Sequence, residues 1–143
     1  MRFPEGGPEA GSKRRPGLTL VGVGPGDPEL LTLAALRALQ RATVVAYPVA
    51  REGAEGMAAA IAAPWLRPEQ TRLPLLFPMV EAVEPRRRAW HQAADQLAAQ
   101  VNQGQTVVLL CEGDSSLFAS CSYVLLALAA RDPVMPVAVI PGI

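Results

Sequence analysis

The chain has 143 residues and is 50% hydrophobic, enough for one domain with a packed core and too apolar for a disordered or disulfide-stapled peptide. Its 13 basic and 13 acidic side chains cancel, so no long-range field draws the surface to nucleic acid or anionic lipid. Two cysteines and one histidine make no metal-ligand spacing, no apolar stretch reaches membrane-spanning length, and no signal-peptide core opens the chain, so a small-molecule role in the cytoplasm is expected.

Residues Met1 to Pro16 are Gly, Pro and charge, and read as a disordered leader. Leu18 to Gly22 reads as a buried strand. Pro28 to Arg41 reads as a helix capped by Asp27, with leucines at 30, 31, 33, 36 and 39 on one stripe. Thr43 to Ala46 is a second β-branched run closed by Tyr47-Pro48, Gly53 to Ala63 an Ala-rich helix ended by Pro64, and Arg72 to Leu76 a weaker strand. Pro85 to Gln103 carries apolar or long side chains at 90, 93, 94, 97, 98 and 101 with Gly104 as its stop. Thr106 to Cys111 is the clearest strand, Ser116 to Arg131 a further helix, and Val137 to Ile140 a last strand before Pro141-Gly142-Ile143.

Strands alternating with helices imply a mostly parallel five-stranded sheet. The unbroken apolar run Val107 to Leu110 requires cover on both faces, which makes the fold a three-layer α/β/α sandwich. Ligands of such sheets bind beyond the carboxyl ends of the strands, and two loops of this chain open there.

The first is Gly22-Val23-Gly24-Pro25-Gly26-Asp27-Pro28. Its glycines free the backbone to turn and present amides, but the spacing is not the dinucleotide fingerprint, and Asp27 stands where a pyrophosphate would need a helix N-terminus. Tyr47-Pro48 replaces the acidic ribose ligand, so NAD is disfavoured. The second loop is Cys111-Glu112-Gly113-Asp114-Ser115-Ser116. Carboxylates beside exposed backbone suit a ligand with positive charge and a nucleoside, a description that S-adenosylmethionine meets. Asp27, and Asp114 or Ser115, also read as plain helix caps. Cys111 and Cys121 read as core residues, His91 and Trp90 as surface and packing residues, and Arg86-Arg87-Arg88 as a solvated helix start, although a ligand rich in carboxylates could use it.

Taken together, the 22–31 phrase, Tyr47-Pro48, Glu112-Gly113-Asp114 and Pro141-Gly142-Ile143 resemble the tetrapyrrole (corrin and porphyrin) methyltransferase family over residues 18 to 143. Residues 46–50, 75–79 and 111–114 most resemble its branch that methylates precorrin-2 at C20. The resemblance implies a homodimeric enzyme of cobalamin biosynthesis that moves a methyl group from S-adenosylmethionine to that meso carbon of precorrin-2 or its cobalt-containing counterpart. By motif, cofactor contacts carry over to Pro25, Glu112, Gly113, Asp114 and Leu117, and the tetrapyrrole would lie nearer Asp27 and Tyr47.

The family's Pro after the Gly-Asp pair, and its Tyr with a small residue, are replaced here by Ser115, Phe118 and Ala119. The family also continues past the position of Ile143 with a Ser/Thr loop and a second domain. Residues 17 to 143 are therefore expected to form the N-terminal domain alone, with little or no turnover. Other readings remain open: another member of the superfamily, such as a different ring-carbon methylase, a diphthine synthase or a ribosomal RNA methylase, or a noncatalytic binding or oligomerisation module.

Overall fold

The computed structural model describes residues 17–112 and 115–142, apart from the side chains of 115–119. The expected leader lies outside the described residues. Five parallel strands form one sheet: β1 Gly17–Gly22, β2 Val44–Val49, β3 Thr71–Leu76, β4 Thr106–Cys111 and β5 Val137–Ile140, in the order β3-β2-β4-β1-β5. Helices α1 Leu33–Arg41, α2 Met57–Ala62, α3 Val83–Asn102 and α4 Ser115–Arg131 cover it.

The expected three-layer arrangement follows from how β4 distributes its side chains. Val107, Leu109 and Cys111 pack with α3 and α4, while Val108 and Leu110 pack with α1 and α2. Each face buries its own cluster, which is why this strand reads as continuously apolar rather than alternating. Arg131, in the last turn of α4, fastens the two helices of one layer through Asp95 at 2.9 Å and through the ring and carbonyl of His91, all on α3.

Most element limits match the sequence expectation or shift from it by one or two residues, and three shift by more. The helix expected from Pro28 is two pieces, a 3-10 turn over Pro28–Leu30 capped by Asp27 and then α1, because Thr32 starts afresh by accepting a hydrogen bond from the Ala35 N–H at 3.0 Å. That second cap rotates the buried face onto Ala35, Ala38 and Leu39, and Leu33 is left 58% exposed, so the leucines form no single buried stripe. The strand expected to close at Tyr47-Pro48 runs to Val49. Its pairing with β4 ends at Ala46, and from there Pro48 pairs only with β3, so its missing N–H interrupts no β4 ladder. The Ala-rich helix begins at Met57 rather than Gly53, since Gly53 and Gly56 hold φ of 81° and 84° and form a loop instead.

Gln70 is a buried polar residue that sequence periodicity does not flag. Its amide nitrogen donates to the carbonyls of Leu39 and Ala42, and its amide oxygen accepts from the Arg67 N–H at 2.7 Å. These bonds satisfy the carbonyl of Ala42, the C-cap of α1, and add a second donor to the Leu39 carbonyl, which also accepts from the Ala42 N–H at 3.3 Å. Gln70→Leu is expected to cost about 2 kcal/mol, chiefly by taking the amide partner from the Ala42 carbonyl and the Arg67 N–H. Urea unfolding measures it, with an unchanged m-value as the sign of an intact fold.

Candidate functional site

The carboxyl ends of β1 and β4 are neighbours, with Gly22 paired to Cys111. The first loop continues that pairing one step further, since the Val23 N–H donates to the Cys111 carbonyl at 2.9 Å. From this shared origin the chain runs to α1 on one face after β1 and to α4 on the other after β4. Diverging connections at adjacent strand ends open a crevice, the usual ligand position in a sheet of this kind.

Close backbone packing builds the rim. A Cβ on Gly22 would stand 2.4 Å from the Gly142 nitrogen, and one on Gly142 would stand 3.0 Å from the Gly24 nitrogen. The Pro141-Gly142 segment beyond β5 therefore lies directly on the first loop. Trp65 ties the same region to the layer below, its indole N–H donating to the Pro28 carbonyl at 3.1 Å. Asp27 accepts the Glu29 N–H at 2.9 Å and is exposed, as is Pro25. Tyr47 is half-buried against the α1 and α2 cluster.

A cavity of about 550 Å³ opens at the same edge, on the β2–β3 side of Glu112. That volume lies within the roughly 300–1,000 Å³ typical of small-molecule sites. Pro48, Val49, Met57, Phe77, Met79, Val80 and Trp90 make most of its wall apolar, and Glu81, Arg86 and Glu112 supply charge. Pro25, Asp27 and Tyr47 are not among its lining residues. Gly113, Asp114 and the Leu117 side chain lie outside the described residues, although position 117 falls in the first turns of α4.

Cys111 and Cys121 link β4, α4 and the second loop. The Cys121 thiol donates to Cys111, which pushes Cys121 up with the help of burial and holds Cys111 down, and the Cys111 thiol donates to the Glu112 carbonyl at 3.5 Å. Both are buried, in keeping with core roles. Among the described residues no group of three His, Cys, Asp or Glu side chains gathers to hold a metal.

At this edge Glu112 places a carboxylate beside an apolar wall, while the absence of a side chain at Gly22 makes room for the backbone of Gly142. Sequence reasoning gave Arg86 the same reading as Arg87 and Arg88, a solvated helix start that a carboxylate-rich ligand could use. Arg87 and Arg88 are exposed, but the Arg86 Nε is sequestered at the cavity wall. The available signal was Trp90 one turn further along α3, the spacing at which an arginine and an aromatic ring meet on a helix face.

The family profile described as Tetrapyrrole (Corrin/Porphyrin) Methylases matches residues 17–143. A precorrin-2 C(20)-methyltransferase of Sinorhizobium sp is 38% identical over 131 residues, covering 86% of this chain and 52% of that protein. The solved uroporphyrin-III C-methyltransferase of Thermus thermophilus, in complex with S-adenosylhomocysteine, superimposes with a TM-score of 0.56 at 29% identity, over 89% of this chain and 45% of that one. A cobalt precorrin-4 methyltransferase shares the fold with a TM-score of 0.64 at 21% identity, over 88% and 45% of the two chains. The chain thus spans about half the length of these three proteins. No helix among the described residues is long and apolar enough to cross a membrane.

Proposed function

Since this chain belongs to the tetrapyrrole (corrin and porphyrin) methylase family, we propose that it forms the cofactor-binding half of an enzyme that methylates C20 of precorrin-2, or of its cobalt-containing counterpart, in cobalamin biosynthesis. Residues 17 to 143 are the N-terminal domain of that enzyme, and its working form is a homodimer. The observation that carries the reading is the pairing of Gly22 with Cys111, which brings the glycine loop and the acidic loop to adjacent strand ends on one rim. Cofactor contacts are assigned to Pro25 in the first loop, to Glu112, Gly113 and Asp114 in the second, and to Leu117 on α4. Asp27 and Tyr47 are assigned to the tetrapyrrole side.

S-adenosylmethionine, when bound, supplies an electrophilic methyl group on a sulfonium centre. Transfer is an in-line displacement, so the protein's part is alignment and exclusion of water, worth several kcal/mol through proximity. Glu112 and Asp114 provide negative charge near the sulfonium nucleoside, and the apolar wall at Val49 and Phe77 keeps the approach dry. The meso carbon is already electron-rich by conjugation, so no strong base is needed to activate it. The proton it sheds after methylation goes to water or to Asp27, one of whose oxygens is held by the Glu29 N–H.

Calorimetric titration of S-adenosylhomocysteine tests the assignment. The protein is expected to bind it, and Asp114→Ala to weaken binding by about tenfold, the loss of one charge-assisted hydrogen bond of roughly 1.4 kcal/mol. Equal affinity in the two proteins would remove Asp114 from the site.

A further inference from the structure

We propose that Arg86 is the anchor for a carboxylate on a flat, largely apolar ligand lying in the 550 Å³ cavity. This deepens the functional reading above and rests on it, since it names the recognition element for the substrate. The first observation is the Arg86 Nε, which is buried and makes no hydrogen bond, although the residue lines the cavity. An arginine donor sealed from water without a partner is costly, and such groups are rare enough in native proteins that each calls for a partner that arrives from elsewhere.

The second observation is how the guanidinium is held. Its central carbon lies 5.9 Å from the centroid of the Trp90 ring, and that ring stacks on Tyr123 of α4 at 4.3 Å with 16° between planes. Arg86, Trp90 and Tyr123 thus form a ladder between α3 and α4 that fixes the fork before any ligand arrives. A preordered planar fork loses little entropy on meeting a carboxylate and can take it with two parallel hydrogen bonds.

The wall describes the rest of the ligand. Met79 is 83% exposed, and Val80 and Met57 are exposed too, leaving apolar surface at the cavity mouth that a flat hydrophobic body would cover. Glu81 and Glu112 also line the cavity, and neither accepts from the Arg86 Nε. A cation would therefore meet carboxylates at Glu81 or Glu112, whereas the Arg86 Nε calls for an acceptor, which an acidic group on the ligand would supply. A macrocycle bearing acid side chains fits both demands at once.

The test uses uroporphyrin and its fully esterified methyl ester as probes, titrated by fluorescence into the protein and into Arg86→Met and Arg86→Lys. Arg86→Met is expected to weaken uroporphyrin by about tenfold or more. Arg86→Lys, which keeps the charge but not the fork, should recover only part of that loss, and the ester should bind all three proteins alike. S-adenosylhomocysteine is titrated in parallel and should bind all three equally, which also reports that the variants are folded. Undiminished uroporphyrin binding by Arg86→Met overturns the proposal, as does an equal loss with the ester, which would mean that Arg86 acts by packing. Wild-type protein that binds S-adenosylhomocysteine but not uroporphyrin sinks the anchor and leaves the cofactor site standing. Binding of neither sinks both.

Discussion

Gly22→Ala should destabilise the protein by about 3 kcal/mol or more, a loss at the upper end of what overpacking usually costs. The added Cβ would lie 2.4 Å from the Gly142 nitrogen, 3.0 Å from the Gly142 Cα and 3.2 Å from the Pro141 carbonyl carbon. All three are backbone atoms, so no side chain can swing aside to relieve the clash. Gly22 is not among the residues with positive φ, and the whole penalty is therefore steric rather than conformational. Relief requires β1 and the segment after β5 to separate, which would strain the β1–β5 pairing from Leu18↔Val137 to Val21↔Ile140. In a chain of this size the melting temperature should fall by roughly 10 °C, read by calorimetry or circular dichroism. Gly142→Ala meets the same interface from the other side at 3.0 to 3.2 Å and should cost visibly less. If Gly22→Ala melts with the wild type, the first loop and the segment after β5 are not in contact in solution.

The same contact explains which parts of this molecule could be read from its sequence. Thr106–Cys111 and Val137–Ile140 match their expected limits because each is an unbroken run of strand-forming residues between punctuating residues, a signal that needs no tertiary information. The buried face of α3 was equally legible, since Ala93, Ala94, Leu97 and Val101 keep helical spacing within a 20-residue helix. The start of α1 was not. Glu29-Leu30-Leu31-Thr32 continues the apolar pattern, and only the competition between two caps, Asp27 and Thr32, divides it. Pro48 misled for a related reason: whether proline ends a strand depends on whether its neighbour is still paired, and pairing with β4 is a long-range fact.

The site divides along the same line. Glycine and acidic residues directly behind strands mark where a ligand can approach, so Gly22 and Glu112 could be placed at the sheet edge from local pattern alone. The cavity wall could not, because Val49, Phe77, Trp90 and Ser120 come from four separate parts of the chain and meet only through the strand order. Arg86 is the sharpest case. In sequence it is one of three arginines in a row, and what distinguishes it is the four-residue spacing that lays it over Trp90, one turn along α3, while its neighbours face water.

Gly56→Ala should have the second largest effect, and its design separates two costs that usually come together. Gly56 holds φ at 84° and its Cβ would stand 2.6 Å from the Pro48 carbonyl oxygen, with the Val49 and Tyr47 side chains at 3.3 and 3.4 Å. Gly53, three residues earlier, holds nearly the same φ of 81° with nothing within 4 Å of its would-be Cβ. Gly53→Ala therefore measures the left-handed backbone penalty alone, about 1 kcal/mol. Gly56→Ala adds a collision with the end of β2 and should reach about 3 kcal/mol in all, since overpacking against backbone typically adds 1–3 kcal/mol. The difference is also positional. Gly56, Pro48 and Val49 all line the cavity, so pushing them apart reshapes its mouth, whereas Gly53 is not among the lining residues. Uroporphyrin titration at a temperature where all three proteins are folded should find Gly53→Ala close to wild type and Gly56→Ala weakened. Equal stability losses for the two variants would mean that the loop before α2 does not press on β2, and the cavity would then lack the wall that gives it its depth.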